Sequence, residues 1–565
     1  MKLTLKICAV VGTAVALAGA AQTEAAAPKS IAEIFKDEDC IGKHKDENSC
    51  NKDDACVWCK AQAIPSECLT LDQAKMVPPG VFQCDSKNAA AHAVSKHDGF
   101  LDIKRDTGAS ESVAVSAESK MAASMGLRAG GARMERKLLN ASLVADDGEE
   151  NFCDPNVRQA TGYFRLKDAN KHYFFWFFES RNDPANDPVI LWLTGGPGCS
   201  SSLALFVENG PCKVKSDGSG TELNPYSWNA NASVIFVDSP PGTGWSYGTP
   251  DFSEKTVGKD LNSFLRVFFE KFDSFIDRDF FIFAESYGGK WAPHTATAVN
   301  EANKALIDGE KPIKLKGVAI GNGLTNPEEQ VRWYADMAYN SGTAPSRISK
   351  AEYLLLKNVA TPVAYAATKA CNMIGTFPVC QAAQQAWTMG LMLPYAATGY
   401  NQYDMRIECE VPGLCYNFTV VSDFLNRDDV QEILGVDKAW TECDRTTALE
   451  FAGQEMRNVD YLIPELLEDG IDVMLYVGDC DYICNWIGNK AWAVKMDWPG
   501  KDEFANAADE DYTFEGKSVG KLRSHREQAT AGAFSFLQLH EAGHMVPLDQ
   551  PEVALHMVRQ FTIRT

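Results

Sequence analysis

Residues 280–289 have the sequence FFIFAESYGG, a short apolar run that ends in a turn carrying Ser286. A serine hydroxyl is a poor nucleophile unless it is exposed beside a base, and a sharp strand-turn-helix elbow provides that exposure. The elbow needs small residues near the serine, and Ala284 and Gly288 supply them in an A-x-S-x-G version of the usual G-x-S-x-G pattern. We therefore predict a buried strand followed by a nucleophile elbow with Ser286 at its tip.

Further apolar runs of this kind occur along the chain, and most of them end at Gly, Asp or Asn. They cover residues 173–178, 189–193, 234–237, 318–320, 473–477 and 534–539. Helical patterns such as 257–272 separate them. Short strands that are apolar throughout are typical of a parallel sheet covered by helices on both faces. The sequence thus predicts an α/β fold whose chemistry lies on loops at the carboxyl ends of the strands.

An acid and a base for Ser286 follow in the chain order expected of an α/β-hydrolase fold, which is serine, acid, histidine. Asp479 and Asp481 lie just beyond the run 473–477, and His544 lies close to the C-terminus. These residues predict a Ser-Asp-His triad in which either aspartate is the acid.

A competing motif overlaps the histidine, because residues 540–544 satisfy H-E-x-x-H, the signature of a zinc-binding helix. Zinc would need His540 and His544 on one helical face, with a further ligand nearby. Gly543 lies between them, Pro547 follows closely, and residues 534–539 have a strand pattern that leads into the motif. We therefore predict that the segment supplies the triad histidine and that the enzyme uses no metal or other cofactor.

The regions outside these strands differ in composition. Residues 326–450 carry helical patterns, Tyr-rich loops and five cysteines, which predicts an inserted, mainly helical cap within a catalytic domain of residues 151–565. Residues 28–85 hold six cysteines and few large apolar residues. A segment that cannot build a core is usually cross-linked, so we predict an N-terminal disulfide-rich module whose pairing stays open. Zinc at Cys56 and Cys59 is the alternative.

Two further segments precede the catalytic domain. Residues 86–150 are rich in Ala, Ser, Lys and Gly and keep no strand or helix period, which predicts a linker or pro-segment. Residues 1–27 have a positively charged start and an apolar run too short to span a membrane, which predicts a cleaved signal peptide.

The cellular route is predicted from three N-x-[ST] sequons, at Asn140, Asn231 and Asn417, together with the signal peptide. We expect a glycoprotein of the secretory pathway, either secreted or vacuolar/lysosomal. The formal net charge of −22 argues against nucleic acid and anionic membranes as partners, because phosphate would be repelled.

Four motifs together resemble those of the serine carboxypeptidases, and in particular the carboxypeptidase Y type. They are WLTGGPGCSS at residues 192–201, AESYGG at 284–289, GDCDYICNW at 478–486 and GHMVP at 543–547. The resemblance covers roughly residues 152–565 and does not extend to the segment before residue 151. It implies an α/β-hydrolase fold and an exopeptidase that removes residues from the C-termini of peptides and proteins.

The resemblance also assigns the triad. Ser286 is the nucleophile, His544 the general base, and Asp481 the acid that orients the imidazole. Asp479 is then structural, and His540 is a histidine of the core or the rim.

The oxyanion hole follows from the same resemblance. The backbone N–H groups of Gly196 and Tyr287 are expected to face the charge that develops in the tetrahedral intermediate. Gly196 suits this role because a backbone without a Cβ can approach the substrate closely.

Members of the family hold the free carboxylate of the substrate with two glutamates, which match Glu208 and Glu285, and with a backbone N–H that matches Gly195. Two carboxylates facing a third repel, so at least one glutamate must be protonated to donate a hydrogen bond. We therefore expect activity to be favoured at acidic pH. Thr194 stands where the family often has Asn, and its hydroxyl can donate one hydrogen bond to the same carboxylate.

Several cysteines of the catalytic domain can be paired. The resemblance implies the bridges Cys199–Cys443 and Cys409–Cys415, and we add Cys371–Cys380 as a local bridge. The pairing of Cys153, Cys212 and Cys480 stays open.

Cys484 matches a free thiol that lines the substrate pocket in the carboxypeptidase Y type. Together with Tyr482, Trp486 and Met545 it suggests an apolar binding region and a preference for bulky hydrophobic residues. Two other functions stay open at this point: transfer of the acyl group to an alcohol on the same fold, and a binding role without catalysis.

Overall fold

A computed structural model describes residues 47–50, 52, 56–61, 67–70, 82–84, 132–139, 152–307, 309–411 and 413–563. They fall into two compact units, one within Ala16–Ala117 and one within Glu118–Thr565. The predicted signal peptide, most of the predicted linker and the sequon at Asn140 lie outside the described residues.

The N-terminal unit contains a short helix and a small antiparallel sheet. These are α1 (Glu47–Cys50), β1 (Cys56–Ala61), β2 (Glu67–Thr70) and β3 (Phe82–Cys84), with β1 in the centre of the sheet. Cys50 and Cys56 are buried and both are disulfide-bonded. A disulfide sulfur is not a thiolate ligand, so Cys56 does not fit the zinc alternative.

The larger unit is built on a twelve-stranded sheet. Its strands are β4 (Ala132–Leu139), β5 (Gln159–Leu166), β6 (Lys171–Phe178), β7 (Val189–Leu193), β10 (Ser233–Val237), β11 (Tyr247–Gly248), β12 (Phe280–Glu285), β13 (Leu315–Gly321), β14 (Asp472–Gly478), β15 (Glu510–Phe514), β16 (Lys517–Arg526) and β17 (Ala533–Leu539). A separate hairpin is formed by β8 (Cys212–Val214) and β9 (Thr221–Leu223).

The strand order is β15-β16-β17-β14-β13-β12-β7-β10-β6-β5-β4, with β11 beside β6. The six strands from β17 to β10 are parallel, and the strands at both edges are antiparallel. Parallel neighbours need crossover connections, which here run through helices.

The central strands are mainly apolar because both of their faces are buried, and in β12 and β14 the charged residues Glu285 and Asp472 stand at a strand end. In β12, for example, Phe280, Ile282 and Ala284 contribute to one hydrophobic cluster, and Phe281 and Phe283 contribute to the cluster on the opposite face. Side chains of a strand alternate between faces, so a strand covered on both sides needs apolar residues at most of its positions.

Helices cover both faces of the sheet. They are α2 (Ser201–Val207), α3 (Glu254–Lys271), α4 (Gly288–Lys304), α14 (Ile463–Glu468), α15 (Trp486–Ala493), α16 (Lys501–Asn506), α17 (Val546–Asp549) and α18 (Pro551–Ile563). The long helices α3 and α4 pack against one face, while α2 and α18 contribute to the cluster on the other. The predicted α/β-hydrolase fold is thus confirmed.

Between β13 and β14 the chain leaves the sheet and forms further helices. They are α5 (Pro327–Gln330), α6 (Tyr334–Asn340), α7 (Lys350–Leu355), α8 (Thr361–Ile374), α9 (Phe377–Trp387), α10 (Leu393–Ala396), α11 (Thr419–Leu425), α12 (Asp428–Leu434) and α13 (Arg445–Glu450). They agree with the predicted helical insertion at residues 326–450. Part of it has its own core, in which Tyr334, Trp387 and Tyr395 are buried.

The structure adds a strand to the region before the catalytic domain. Residues 86–150 show no strand period in the sequence, but β4 lies there and pairs along its whole length with β5, from Ala132 opposite Leu166 to Leu139 opposite Gln159. An edge strand that borrows its hydrogen bonds from a neighbour needs no apolar period of its own, so the sequence pattern did not reveal it.

Candidate active site

The residues predicted to form the site lie after five neighbouring parallel strands. Gly195 follows β7, Ser286 follows β12, Asp481 follows β14 and His544 follows β17. Asn322, which follows β13 between them, completes the row. Because parallel strands end at the same edge of the sheet, these loops meet there.

Ser286 occupies the predicted elbow between β12 and α4. Its backbone is left-handed, with φ of 62°, a conformation that non-glycine residues rarely adopt and that often marks a functional site. Its N–H donates to the carbonyl of Gly321 at 3.0 Å, which ties the elbow to the neighbouring strand. A Cβ on Gly288 would lie 2.8 Å from the Cβ of Ala284, so both positions must stay small.

His544 and Asp481 form a buried pair, with His544 Nδ1 2.7 Å from Asp481 Oδ2. The same oxygen accepts a hydrogen bond from Asn322 Nδ2 at 2.8 Å and from the backbone N–H of Cys484 at 3.3 Å. The other oxygen accepts from the N–H of Ile483 at 3.0 Å. Both oxygens are therefore fully engaged, which fixes the carboxylate and, through it, the imidazole.

Asp479 pairs with the other histidine of the motif. Its Oδ2 lies 2.8 Å from His540 Nδ1, and its Oδ1 accepts from the N–H of Glu541 at 3.1 Å. The H-E-x-x-H segment, residues 540–544, is the turn and loop that follow β17, and it is not a helix. The two histidines bind different aspartates, so the zinc-helix alternative is wrong.

The loop after β7 lies directly against the elbow. A Cβ on Gly195 would lie 2.5 Å from the backbone nitrogen of Tyr287 and 2.6 Å from the Cβ of Ser286. Gly196 has φ of +107° and is exposed. Neither its N–H nor that of Tyr287 donates a hydrogen bond to another described residue. Two free amides beside a serine are suited to stabilise an oxyanion.

Thr194 is half-buried at the start of this loop. Its hydroxyl oxygen accepts a hydrogen bond from Trp192 Nε1 at 2.9 Å, and its N–H donates to Ser201 Oγ at 3.1 Å. The hydroxyl proton can therefore still be donated to a ligand.

Glu208 and Glu285 are both buried and interact with each other, and their charges also interact with His544 and Asp481, respectively. Burial raises the pKa of Glu208 to about 7. Burial and the Glu208 carboxylate together raise the pKa of Glu285 well above its usual range. The Oε2 atom of each glutamate is buried and receives no hydrogen bond from any described residue. A proton on either carboxyl would supply a donor for the other.

Cys484 is a buried free thiol whose sulfur lies within 4.8 Å of the Asp481 and His544 ligand atoms. Burial and the nearby Asp481 carboxylate raise the pKa of this thiol well above its usual range. Cys480 is also buried and free, but its sulfur faces Asp479 and the carbonyl of Thr343.

The apolar substrate-binding region that the sequence predicts contains fewer of the expected residues. Tyr482 is fully buried, stacks on Tyr395 at 3.8 Å and donates its hydroxyl proton to the carbonyl of Leu391. It therefore belongs to the core of the insertion. Met545 and Cys484 keep slight exposure, at 8% and 4%.

Two supporting residues were not singled out from the sequence. Asn322 was visible only as the centre of Gly321-Asn322-Gly323 after a strand, a pattern that indicates a site loop without giving the role of the amide. Tyr403, in the insertion, accepts the His544 N–H with its carbonyl at 2.7 Å and packs its ring 5.2 Å from the imidazole. No sequence signal marks it.

Comparison with known proteins agrees with this geometry. The family model described as serine carboxypeptidase matches residues 149–564. The chain belongs to the serine carboxypeptidase family. It therefore acts on the C-terminal peptide bonds of peptides and proteins.

Its relatives include two fungal proteins and one solved structure. The carboxypeptidase Y homolog A of Fusarium vanettenii is 41% identical over 432 residues, 75% of this carboxypeptidase and 77% of the relative. The homolog A of Aspergillus clavatus is 41% identical over 419 residues, 72% and 74% of the two chains. The crystal structure of Kex1Δp, a prohormone-processing carboxypeptidase from Saccharomyces cerevisiae, is 28% identical with a TM-score of 0.63, and the match covers 73% of this chain and 93% of that one.

Four disulfides cross-link the catalytic unit of the carboxypeptidase. They are Cys153–Cys212, Cys199–Cys443, Cys371–Cys380 and Cys409–Cys415. Three of these pairs agree with the predicted ones, and Cys153–Cys212 is an addition. The Cys199–Cys443 bridge ties the loop after β7 to the insertion across 244 residues of sequence.

The two described sequons differ in accessibility. Asn417 of the carboxypeptidase is exposed, whereas Asn231 is half-buried and its Oδ1 accepts a hydrogen bond from Arg559 at 2.6 Å. Among the described residues, no helix is long and apolar enough to cross a membrane.

Proposed function

We propose that the carboxypeptidase hydrolyses the C-terminal peptide bond through an acyl-enzyme on Ser286. The Ser286 hydroxyl attacks the scissile carbonyl and passes its proton to His544. Because Asp481 already engages Nδ1 of the imidazole at 2.7 Å, Nε2 is the nitrogen that takes the proton. The Gly196 and Tyr287 amides receive the developing oxyanion.

The leaving group is the C-terminal amino acid. Protonated His544 gives its proton to the departing amine, which breaks the peptide bond and leaves an ester on Ser286. Water then attacks this ester, His544 takes the water proton, and the proton returns to Ser286 as the shortened peptide leaves. These reaction steps require no cofactor.

The buried pair Glu208 and Glu285 carries the proposal of exopeptidase recognition. Glu285 directly precedes the nucleophile and interacts electrostatically with Asp481, which supports a place for its carboxyl beside the bound C-terminal carboxylate. A carboxylic acid can donate a hydrogen bond to a carboxylate, and the raised pKa values of both glutamates support this role below about pH 7. Thr194 adds a hydroxyl donor, and the Gly195 amide adds a backbone one.

The acid-favoured pH optimum follows from the same pair. As the pH rises through about 7, Glu208 ionises and the site gains a negative charge facing the substrate carboxylate. We therefore expect the KM for peptides to rise at alkaline pH.

The substrate pocket is proposed to favour hydrophobic residues near the cleaved bond. Cys484 and Met545 provide small apolar contacts, and Tyr403 offers an aromatic face beside His544. A panel of blocked dipeptides that differ only in the two residues around the cut tests this. Higher kcat/KM for Phe and Leu than for Asp and Lys is expected, and equal values would contradict it.

The cellular route and the N-terminal region are also proposals. Four disulfides in the catalytic unit suit an oxidising compartment, which supports the secretory pathway, with the protein either secreted or vacuolar/lysosomal. Residues 1–27 are proposed to be removed as a signal peptide, and residues 28–85 to form a cysteine-rich module. Sequencing the N-terminus of the mature protein tests both boundaries.

The deciding experiment for the activity combines two measurements on one preparation. An organofluorophosphate should label Ser286 covalently, and blocked dipeptides should release their C-terminal amino acid. Labelling without release in water, together with transfer to an added alcohol, would indicate an acyltransferase instead.

A further inference from the structure

A short stretch of the helical insertion lies against both of the loops that carry Asp481 and His544. This stretch, residues 401–406, is called the clamp segment here. The carbonyl of Gln402 accepts from the N–H groups of Tyr482 and Ile483, at 3.1 and 3.0 Å. The N–H of Met405 donates to the carbonyl of Cys480 at 2.9 Å. The clamp segment is thus bonded on both sides of Asp481.

The same segment holds the histidine loop. The carbonyl of Tyr403 accepts from the His544 N–H at 2.7 Å. A Cβ on Gly543 would lie 2.5 Å from that carbonyl, so the two backbones are in direct contact. The loop of the acid and the loop of the base are therefore both bonded to one piece of chain that comes from the insertion.

Arg406 is the charged residue that fastens this arrangement. Its guanidinium forms hydrogen bonds to both carboxylate oxygens of Asp404, to Asp549 Oδ2 at 3.0 Å, and to the carbonyl of Glu541 at 2.6 Å. Asp404 belongs to the clamp segment, Glu541 to the histidine loop and Asp549 to α17. One side chain thus joins three elements around His544.

Asp549 completes the contact with the histidine loop. Its Oδ2 accepts from the N–H of Gly543 at 2.6 Å, one residue before His544, and from Arg406. The loop needs such support, because Glu541 has a left-handed backbone with φ of 56°, a conformation that is unfavourable for a residue with a side chain. Its carbonyl is held by Arg406 and by Gln550 at 3.1 Å.

We propose that Arg406 and Asp549 are positioning residues that hold the His544 loop in its reactive place, and that the insertion thereby takes part in catalysis. This inference rests on the proposed role of His544 as general base. Neither residue touches the reacting atoms. Their effect comes from the backbone on either side of the imidazole, and a misplacement of about 1 Å can lower a rate by about 10²-fold.

The test uses Arg406→Gln and Asp549→Ala in the full chain. Arg427→Gln is the matched control, because Arg427 is also an arginine of the insertion, pairs with Asp429 two residues away and donates to the carbonyls of Gly218 and Ser219. Its side chain is 39% exposed, against 33% for Arg406. The readouts are kcat and KM for a blocked dipeptide, the rate of Ser286 labelling by an organofluorophosphate, and the melting temperature.

We expect both variants to lower kcat and the labelling rate by about 10²-fold with little change in KM, because the base is displaced while the substrate pocket is kept. Arg427→Gln should keep the wild-type rates. Asp549→Asn should recover most of the loss caused by Asp549→Ala, since an amide oxygen can still accept from Gly543 and Arg406.

A lowered melting temperature in Arg406→Gln and Asp549→Ala, with a normal kcat and labelling rate in the folded fraction, would overturn the proposal. Equal losses in Asp549→Asn and Asp549→Ala would also overturn it for Asp549. His544→Gln separates the positioning role from the proposed function. If His544→Gln is active, the triad assignment fails. If His544→Gln is inactive and the other variants are active, only the positioning role fails.

Discussion

Asp481 Oδ2 lies 2.7 Å from His544 Nδ1, and both side chains are buried between loops that follow two adjacent strands, β14 and β17. Asp479, two residues earlier, makes the equivalent contact with His540 at 2.8 Å. The chain thus contains two aspartate–histidine pairs of similar geometry. Only one of them has an imidazole beside the Ser286 elbow in the proposed mechanism.

The two pairs provide a matched experiment. Asp481→Asn should lower kcat by about 10⁴-fold, because an amide at this place favours the wrong tautomer of the catalytic imidazole. Asp479→Asn removes the same charge from a similar pair, so it should lower the melting temperature and leave kcat close to wild type. Comparable losses of kcat in the two variants would show that the acid has been assigned to the wrong aspartate.

Asn322 should matter for catalysis although it does not touch the imidazole. Its Nδ2 donates to Asp481 Oδ2 at 2.8 Å, and its Oδ1 accepts from the N–H of Gly478 at 3.0 Å. A hydrogen bond to a charged group contributes about 1.5–3 kcal/mol, so Asn322→Ala should lower kcat roughly 10- to 100-fold. Steady-state kinetics at saturating substrate measure kcat, and an unchanged kcat would contradict a catalytic contribution of Asn322.

The pH dependence should depend on the substrate carboxylate. Because burial raises the pKa of Glu208 to about 7, the glutamate pair keeps its protons below that pH and loses one above it. The KM of a blocked dipeptide with a free C-terminus should therefore rise between pH 6 and 8, the interval of about one unit on either side of that pKa. The KM of the matching C-terminal amide, which has no carboxylate, should stay nearly constant.

Glu208→Gln provides the second half of that measurement. Glutamine is neutral at every pH, so this variant should lose the alkaline rise in KM while its KM at acidic pH changes less. If the dipeptide and its amide show the same pH dependence in the wild-type enzyme, the glutamates do not act through the substrate carboxylate.

Mercurials should inhibit through Cys484. The sulfur of Cys484 lies within 4.8 Å of the ligand atoms of Asp481 and His544, so a bound mercury atom would block the site. Iodoacetamide should react slowly, because the raised pKa of the Cys484 thiol leaves little thiolate at neutral pH. Cys484→Ser should become resistant to mercurials and Cys480→Ser should remain sensitive. Full activity of the wild type in excess mercurial would rule out this role for Cys484.

The central strands could be predicted because their burial leaves a pattern in the local sequence. β7, β12 and β14 are buried on both faces, so their apolar runs and the small or acidic residues after them mark both the sheet and the site loops. The edge strands were not predicted. In β16, most side chains are exposed or half-buried, and an edge strand of this kind keeps no strong apolar pattern.

The contacts that support the site could not be predicted from the sequence, for a different reason. Arg406 is 135 residues away from Glu541 in sequence, and the Cys153–Cys212 bridge spans 59 residues. Such contacts depend on how the insertion packs on the catalytic loops, and no local period or spacing encodes that packing. Asn322 is an intermediate case, because its position after a strand was visible and its bond to Asp481 was not.

The most direct test of the account is the labelling of Ser286 together with product analysis. Mass spectrometry after treatment with an organofluorophosphate should place the adduct on Ser286, and labelling should abolish the release of C-terminal amino acids from blocked dipeptides in proportion to the labelled fraction. Ser286→Ala should neither be labelled nor release product. An adduct on another residue, or continued release by Ser286→Ala, would contradict the account.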